Sequence, residues 1–288
     1  MNAPSAATLD ARIARFPARG VATSAGTVGV REAGSAGNGL PAQVPTVLLH
    51  GIGSGSGSWL GVLERIAGGE RFLAWDAPGY GITTPLESTT PAASDYAAVL
   101  ASLVDALGLQ RFHLVGHSLG CLMAGAYAAA HPEHLASLSL LSPAGGYGDA
   151  TPALRNEKRD ARLKMLNELG PTGMAEKRSA QLLSPDASAE ALELVRWNTL
   201  ALNPPGYAQA THMLAGGTLS RDLGRYTGPV LVACGSADTV TPEPGCRKIA
   251  ASCMHADYRS LPGLGHACYV ESPDAVLALL RGFWKDQA

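Results

Sequence analysis

The chain has 288 residues, of which 46% are apolar and 16% are charged. This composition supplies a large hydrophobic core and excludes wholesale disorder, and the length fits one or two domains. Lys and Arg total 22 and Asp and Glu total 24, so the formal net charge is −2. A near-neutral chain has no electrostatic reason to bind nucleic acid or an anionic membrane.

The five cysteines are scattered and form no C-x-x-C pair. Their odd number and irregular spacing argue against a disulfide framework and predict a cytoplasmic protein. No apolar run has the length of a membrane-spanning helix, and the N-terminal segment lacks the apolar core of a signal peptide, so no membrane association is expected. A homodimer is compatible with the sequence.

The first half of the chain predicts strands that alternate with helices. Residues 1–18 are interpreted as an arm or a short surface helix, and residues 35–45 as a Gly/Pro loop. The predicted strands are short apolar or β-branched runs: 21–32 (two strands joined by a turn at Gly26), 44–49, 71–75, 112–115 and 135–141. The predicted helices have apolar residues at helical spacing: one that starts near Trp59, 94–107 with Ser94 as its N-cap, and 119–130.

Residues 144–226 interrupt this alternation with helical patterns at 154–169 and 187–199 and no convincing strand. Strands return at 230–234 and 258–261, with helices at 245–252 and 273–284. Strands that alternate with helices predict right-handed βαβ units and an α/β fold whose mostly parallel sheet has helices on both faces. We therefore interpret residues 1–143 and 227–288 as an α/β core, and residues 144–226 as a helical cap inserted before the last strands.

A Gly-Ser-rich loop, residues 50–59, follows the strand at 44–49. Glycine lets a backbone approach a ligand closely, so this loop is a candidate to supply an N–H group to an oxyanion hole. An oxyanion hole needs two N–H donors, one from this loop and one from the residue after the nucleophile. We assign them to the amides of Ile52 and Leu119, with Gly53 as a neighbour that contacts the substrate.

Trp59 and Trp197 are candidates to face the substrate, and Met213, Tyr207 and Tyr147 are candidates to line the pocket or to pack the cap's own core. His50, Asp76 and His117 are expected to have structural roles.

The segment Gly116-His-Ser-Leu-Gly120 matches the pattern G-x-S-x-G and lies between a predicted strand and a predicted helix. This sharp strand-to-helix turn exposes a serine hydroxyl beside a helix N-terminus, where free N–H groups favour a developing anion. Ser118 is therefore the candidate nucleophile. The alternative is a glycine-rich turn in which Ser118 only caps the helix.

A serine hydroxyl needs a base to take its proton, and this motif expects an acid and then a histidine later in the chain. Asp238 follows the predicted strand at 230–234, and His266 follows the strand that ends near Leu261. We predict that His266 is the general base and that Asp238 orients its imidazole. The alternatives are a turn aspartate and a surface histidine.

These segments resemble the α/β-hydrolase superfamily from about Val21 to the C-terminus. The matching segments occur in the superfamily's order: His50-Gly51, Asp76-x-x-Gly79-x-Gly81, Gly116-x-Ser118-x-Gly120, Asp238 and His266. The resemblance implies an eight-stranded sheet, a Ser118–Asp238–His266 triad and no cofactor or metal. Cys121 departs from the pattern, because many members have glycine there.

Within the superfamily, Asp238-x-x-Thr241-Pro242 and Asn203-Pro-Pro-Gly206-Tyr207 are similar to 3-oxoadipate enol-lactonases and small-ester hydrolases. The resemblance implies hydrolysis of small carboxylic esters or lactones through an acyl-enzyme. Carbon–carbon bond hydrolases of ring-cleavage products, cofactor-free perhydrolases and non-catalytic small-molecule receptors are the alternatives on this fold. The basic residues of the cap, Arg155, Lys158, Arg159, Arg162 and Lys164, are interpreted as a solvated helix face.

Two other classes fit poorly. A dinucleotide-binding motif would need glycine at position 56, which is serine, and the loop is too long for a tight phosphate turn. A metal site at His131-Pro-Glu-His134 is disfavoured because Pro132 marks a helix end.

Overall fold

The computed structural model describes residues 7–34 and 43–286. Most of the predicted arm before residue 9 and most of the predicted loop 35–45 lie outside the described residues. The strands in the described part of the chain are β1 Arg19–Thr23, β2 Gly26–Gly34, β3 Thr46–Leu49, β4 Arg71–Trp75, β5 Phe112–His117, β6 Leu135–Leu141, β7 Val230–Gly235 and β8 Ala256–Leu261.

These strands form one eight-stranded sheet in the order β1-β2-β4-β3-β5-β6-β7-β8. The pairs β1–β2 and β2–β4 are antiparallel, and every other pair is parallel. A parallel strand covered on both faces is apolar at successive positions, and β3, β5 and β6 are buried along their whole length. The predicted α/β fold with a mostly parallel sheet is confirmed.

The helices pack on both faces of the sheet or connect its strands. They are α1 Leu9–Ala14, α2 Leu60–Leu63, α3 Ala93–Ala106, α4 Gly120–Ala130, α5 Pro152–Arg178, α6 Ala189–Leu200, α7 Pro204–Gly216, α8 Leu219–Leu223, α9 Glu243–Ala250, α10 Cys268–Glu271 and α11 Pro273–Lys285. The prediction of Ser94 as an N-cap is wrong. The helix α3 begins one residue earlier, and the Asp95 carboxylate reaches back to accept a hydrogen bond from the Ala92 amide at 2.8 Å.

The sheet separates two apolar clusters. Successive residues of a strand face opposite sides, and Leu231 and Val232 of β7 accordingly belong to different clusters. Leu100 of α3 and Leu122 of α4 are fully buried on one side, and Leu280 of α11 is fully buried on the other. Burial of each such side chain stabilises the fold by about 2 kcal/mol. The carboxyl ends of the parallel strands are thereby held in fixed positions at one edge.

Between β6 and β7 the chain is helical, and residues 142–229 contain no strand. The longest helix there, α5, is broken at Gly170, which has a φ of 57° and a ψ of −176°. Pro171 follows, and it lacks the N–H that an uninterrupted helix would need at that point. The helix α5 therefore consists of two segments that run in different directions.

His113 on β5 predicts an acid-sensitive step in stability. Its Nδ1 lies 2.8 Å from Ser137 Oγ, and its ring stacks on Trp284 with the ring centroids 4.3 Å apart. Burial, with a smaller contribution from the positive charge of Arg111, lowers the pKa of His113 from 6.5 to about 4. The unfolded chain binds this proton at a higher pH than the native protein does. Its contribution to stability is therefore complete above pH 6.5 and is lost as the pH falls toward 4.

We expect the free energy of urea unfolding to fall by about 2 kcal/mol more in the wild type than in His113→Phe between these two pH values. Phenylalanine keeps the stacking on Trp284 and does not titrate. Parallel pH dependences of the two proteins would contradict the assignment of this step to His113.

Candidate active site

The backbone at Ser118 turns sharply from β5 into α4. Ser118 has a φ of 51°, which is in the left-handed region that non-glycine residues rarely adopt. Its amide donates a hydrogen bond to the Leu141 carbonyl on β6 at 2.9 Å, which ties the turn to the neighbouring strand. The side chain therefore lies at the carboxyl edge of the sheet, beside the N-terminus of α4.

Two glycines make this turn sterically feasible. A Cβ atom on Gly116 would lie 2.7 Å from the Gly120 carbonyl oxygen, and one on Gly120 would lie 2.6 Å from the Leu49 carbonyl oxygen. Both distances are shorter than any side chain tolerates next to backbone. The G-x-S-x-G pattern is thus required by the packing of α4 against β3 and β5.

Asp238 and His266 form a buried pair behind this turn. Asp238 Oδ2 lies 2.9 Å from His266 Nδ1, and each residue is 4% exposed. The other carboxylate oxygen, Oδ1, accepts hydrogen bonds from the amides of Val240 at 2.8 Å and Thr241 at 2.9 Å. An acceptor at Nδ1 selects the tautomer in which Nδ1 carries the proton and Nε2 has a free lone pair.

The charge of this pair follows from its hydrogen bonds. Burial alone would raise the pKa of Asp238, but the hydrogen bond and charge of His266, together with the Thr241 amide, outweigh that effect. The pKa of Asp238 is therefore held well below its ordinary value of 3.8. The carboxylate is ionised at neutral pH and stabilises a proton on the imidazole.

Thr241 is a third member of this group that the sequence argument left without a role. Its Oγ1 lies 2.9 Å from Asp238 Oδ2, 3.1 Å from His266 Nδ1 and 3.0 Å from the Ser142 carbonyl oxygen. The hydroxyl has one proton, so it donates to one of the two oxygens at a time. The D-x-x-T spacing that the resemblance used is the sequence feature that indicates it.

Ser118 and His266 line one cavity of about 240 Å³. Ile52, Gly53 and Leu119 line it as well, so the structure brings these predicted site residues together, with Asp238 behind His266. The remaining walls are supplied mainly by the helices between β6 and β7 and by the loops beside them. They include Gly145, Gly146, Tyr147, Arg162, Met174, Arg178, Leu182, Thr199, Tyr207, Leu214, Val240 and Thr241.

The amides of Ile52 and Leu119 are available as donors at this cavity. In the part of the chain that the structure describes, neither N–H donates a hydrogen bond to the protein. The loop that carries Ile52 is held by His50, whose Nε2 accepts a hydrogen bond from the Ala77 amide at 3.0 Å. Its Nδ1 therefore donates to the Gly51 carbonyl, 2.8 Å away. Asp76 Oδ1 accepts from the Ser56 amide at 2.7 Å, which fixes the far side of the loop.

His117 stays neutral beside this site. Burial, together with repulsion from His266, lowers the pKa of His117 from 6.5 to about 3. Its Nε2 donates to the His266 carbonyl oxygen at 2.9 Å, so it positions the loop that carries His266. This agrees with the structural role expected of a residue that precedes Ser118 in the turn.

The prediction that Trp59 and Trp197 face the substrate is wrong. Trp59 is fully buried and stacks on Tyr269, with the ring centroids 4.0 Å apart. Trp197 Nε1 donates to Asp10 Oδ1 at 3.2 Å, near the chain's N-terminal helix and outside the cavity. A large apolar ring gains most from complete burial, and for Trp59 the short 3-10 turn at Ser56–Trp59 directs it into the core. Tyr207 lines the cavity instead.

The prediction that the basic residues at 155–164 form a solvated helix face is wrong for Arg162. Arg162 and Arg178, both on α5, line the cavity that contains Ser118. A sequence pattern cannot indicate this placement, because the break at Gly170 decides which side of each α5 segment faces the core.

Within residues 7–34 and 43–286, no three His, Cys, Asp or Glu side chains are grouped so that they could hold a metal ion. The same ranges contain no helix that is both long enough and apolar enough to cross a membrane.

A family model described as the alpha/beta hydrolase fold matches residues 44–273. The chain belongs to the alpha/beta hydrolase family. This alpha/beta hydrolase is 29% identical over 251 residues to a 2-hydroxy-6-oxo-6-phenylhexa-2,4-dienoate hydrolase of Burkholderia cepacia, a match that covers 82% of this chain and 86% of that protein. It is also 37% identical over 116 residues to monoacylglycerol lipase abhd6-B of Xenopus laevis. That match covers 37% of this chain and only 33% of the lipase.

A solved structure, the enol-lactonase from Burkholderia xenovorans LB400, superposes with a TM-score of 0.81 at 21% identity. The superposition covers 93% of this chain and 100% of the enol-lactonase chain. At this identity the likeness shows the fold that the two proteins share.

The close packing at Gly120 predicts that Gly120→Ala is strongly destabilising. The new Cβ would overlap the Leu49 carbonyl, and the backbone would have to move, so we expect the free energy of unfolding to fall by about 2 kcal/mol or more. Gly245→Ala is the matched control, because it lies in α9 and its Cβ would meet no atom within 4 Å. That substitution should stabilise the protein by about 0.5–1 kcal/mol through helix propensity. Equal effects of the two changes, measured by urea unfolding, would contradict the steric argument.

Proposed function

We propose that this protein is a serine hydrolase that cleaves small carboxylic esters or lactones through an acyl-enzyme. The observation that carries the proposal is the shared cavity of Ser118 and His266, with the ionised Asp238 at hydrogen-bond distance behind the imidazole. The Ser118 backbone strain and the two flanking glycines support it, because they present a hydroxyl at a helix N-terminus.

In the proposed reaction, His266 Nε2 accepts the proton of the Ser118 hydroxyl while Oγ attacks the substrate carbonyl carbon. The amides of Ile52 and Leu119 stabilise the oxyanion that forms. Collapse of this intermediate breaks the bond to the alcohol, which leaves with the proton from His266. Water then attacks the acyl carbon and gives a proton to His266. Collapse of the second intermediate releases the acid and returns the proton to Ser118, and Asp238 remains ionised throughout.

We propose that residues 144–226 act as a cap over this site and that residues 1–143 and 227–288 form the catalytic core. The cavity walls from α5 and α7 support the division. The cavity volume of about 240 Å³ lies below the roughly 300–1,000 Å³ of sites for drug-sized ligands. The proposal therefore favours short acyl groups over long ones.

Carbon–carbon bond hydrolysis is the second candidate function, and the similarity to the dienoate hydrolase of Burkholderia cepacia favours it. The same serine would attack a ketone carbonyl instead of an ester carbonyl, with the same base and the same oxyanion donors. The 2-hydroxydienoate would first tautomerise to its 2-keto form, which places a second hydrogen on C5. Cleavage of the C5–C6 bond would then release a dienolate whose charge is delocalised onto the 2-keto oxygen and which takes the proton from His266, and water would release benzoate from Ser118. Incubation with 2-hydroxy-6-oxo-6-phenylhexa-2,4-dienoate, with benzoate release measured by chromatography, distinguishes this reaction from ester hydrolysis.

Ser118→Ala tests the nucleophile. We expect kcat for p-nitrophenyl esters to fall by about 10⁴-fold or more, because the members of a triad act as a unit. Ser94→Ala is the matched control, since Ser94 is an exposed serine on α3 outside the cavity. A series of esters with two to twelve acyl carbons should show its optimum among the short chains.

Activity of Ser118→Ala close to that of the wild type would overturn the assignment of the nucleophile. Binding of esters by a folded wild type that turns over neither esters nor the dienoate would instead indicate a receptor.

Thr241→Val tests whether the Thr241 hydroxyl positions Asp238 and His266. Loss of one hydrogen bond to a charged group should lower kcat about tenfold, with KM nearly unchanged. Thr241→Ser keeps the hydroxyl and should restore most of the activity. Wild-type activity in Thr241→Val, or an equal loss in Thr241→Ser, which keeps the hydroxyl, would contradict a positioning role of the hydroxyl.

A further inference from the structure

Two arginines line the cavity of Ser118, and neither has an ionic partner in the described part of the chain. Arg162 and Arg178 both line it, and both are partly buried. Among residues 7–34 and 43–286, neither side chain makes an ion pair or a hydrogen bond to the protein. By contrast, the neighbouring Arg159 pairs with Asp160 and Lys164 with Glu168.

The break in α5 is what brings the two arginines to one cavity. An uninterrupted helix would separate residues 162 and 178 by about 24 Å along its axis, at 1.5 Å per residue. A straight helix would thus hold the two arginines far apart, whereas here both line one cavity of about 240 Å³. The left-handed backbone of Gly170 and the following Pro171 change the direction of the chain between the two arginines.

The walls of the cavity that the two arginines line contain no acidic residue. None of the residues that line the cavity is Asp or Glu. The other titratable side chains on its walls are His117, His266, Tyr147 and Tyr207, and burial keeps His117 neutral with a pKa of about 3. Charges in such a site are screened less than on an open surface, so an anion that enters it is strongly attracted.

We infer that Arg162 and Arg178 form a subsite for a substrate carboxylate, so that the physiological substrate is an anionic ester or lactone. A planar guanidinium matches a carboxylate with two parallel hydrogen bonds, and two of them can hold one anion. This inference rests on the proposed function for the reaction at Ser118, but not for the binding of the anion.

The test compares esters that differ only in charge. On the acyl side, mono-p-nitrophenyl adipate is compared with its neutral methyl ester. On the alcohol side, 4-acetoxybutyrate is compared with its methyl ester by titration of the released acid. We expect the wild type to have a kcat/KM about tenfold or more higher for the anionic member of at least one pair, and added salt should reduce this preference.

The double variant Arg162→Gln/Arg178→Gln should lose that preference and keep its activity on the neutral esters within about threefold. Lys164→Gln and Lys177→Gln are the matched controls, because both lysines are exposed on α5 and do not line the cavity. They should retain the preference. The inference is overturned if the wild type is indifferent to charge in both pairs, or if the double variant loses activity equally on anionic and neutral esters.

A binding measurement separates failure of the subsite from failure of the proposed reaction. Adipate binding is measured by calorimetry on the wild type, the double variant and the lysine controls. If no ester is hydrolysed but adipate binds the wild type with a Kd of about 1 mM or lower, and binding is lost in the double variant, the subsite stands and the reaction fails. If esters are hydrolysed and adipate binds both proteins equally or neither, the reaction stands and the subsite fails.

Discussion

The turn at Ser118 is the constraint on which the rest of the site depends. A strand must pass directly into a helix, with one residue in a left-handed conformation and two positions where only hydrogen fits. The cost of this backbone is met by the sheet, since β5 is held between β3 and β6 and the Ser118 amide is bonded to β6. Because these strands are parallel, their carboxyl ends also present the loops of Ile52 and Asp238 at the same edge.

The charged and titratable groups at that edge have distinct roles. The ionised Asp238 lies behind His266, and hydrogen bonds from the imidazole and two amides stabilise its negative charge. His50 and His117 lie close by but are buried, and their lowered pKa values keep them neutral braces. Arg162 and Arg178 line the same cavity as the proposed nucleophile, with no carboxylate on its walls. The inferred subsite would let the protein distinguish substrates by charge.

The family does not by itself decide the reaction. The relatives reported above include a dienoate hydrolase and a lipase, and the enol-lactonase shares the fold at 21% identity. All three activities generate an oxyanion from a carbonyl, so one set of groups at the sheet edge is compatible with each of them. The difference must come from the walls of the cavity, which in this protein are largely helices between β6 and β7.

The sequence alone determined the parallel sheet, because buried strands are continuous apolar runs bounded by turn residues, and β4 and β6 begin and end where predicted. It also predicted Ser118, Asp238 and His266 as one group from their local motifs and their order along the chain, and in the structure Ser118 and His266 line one cavity with Asp238 behind the imidazole. Tertiary structure alone decided that Trp59 packs in the core, that Thr241 bridges Asp238 and Ser142, and that two arginines sixteen positions apart line one cavity. Local patterns specify which face of an element is apolar, whereas the direction of a broken helix depends on everything that packs against it.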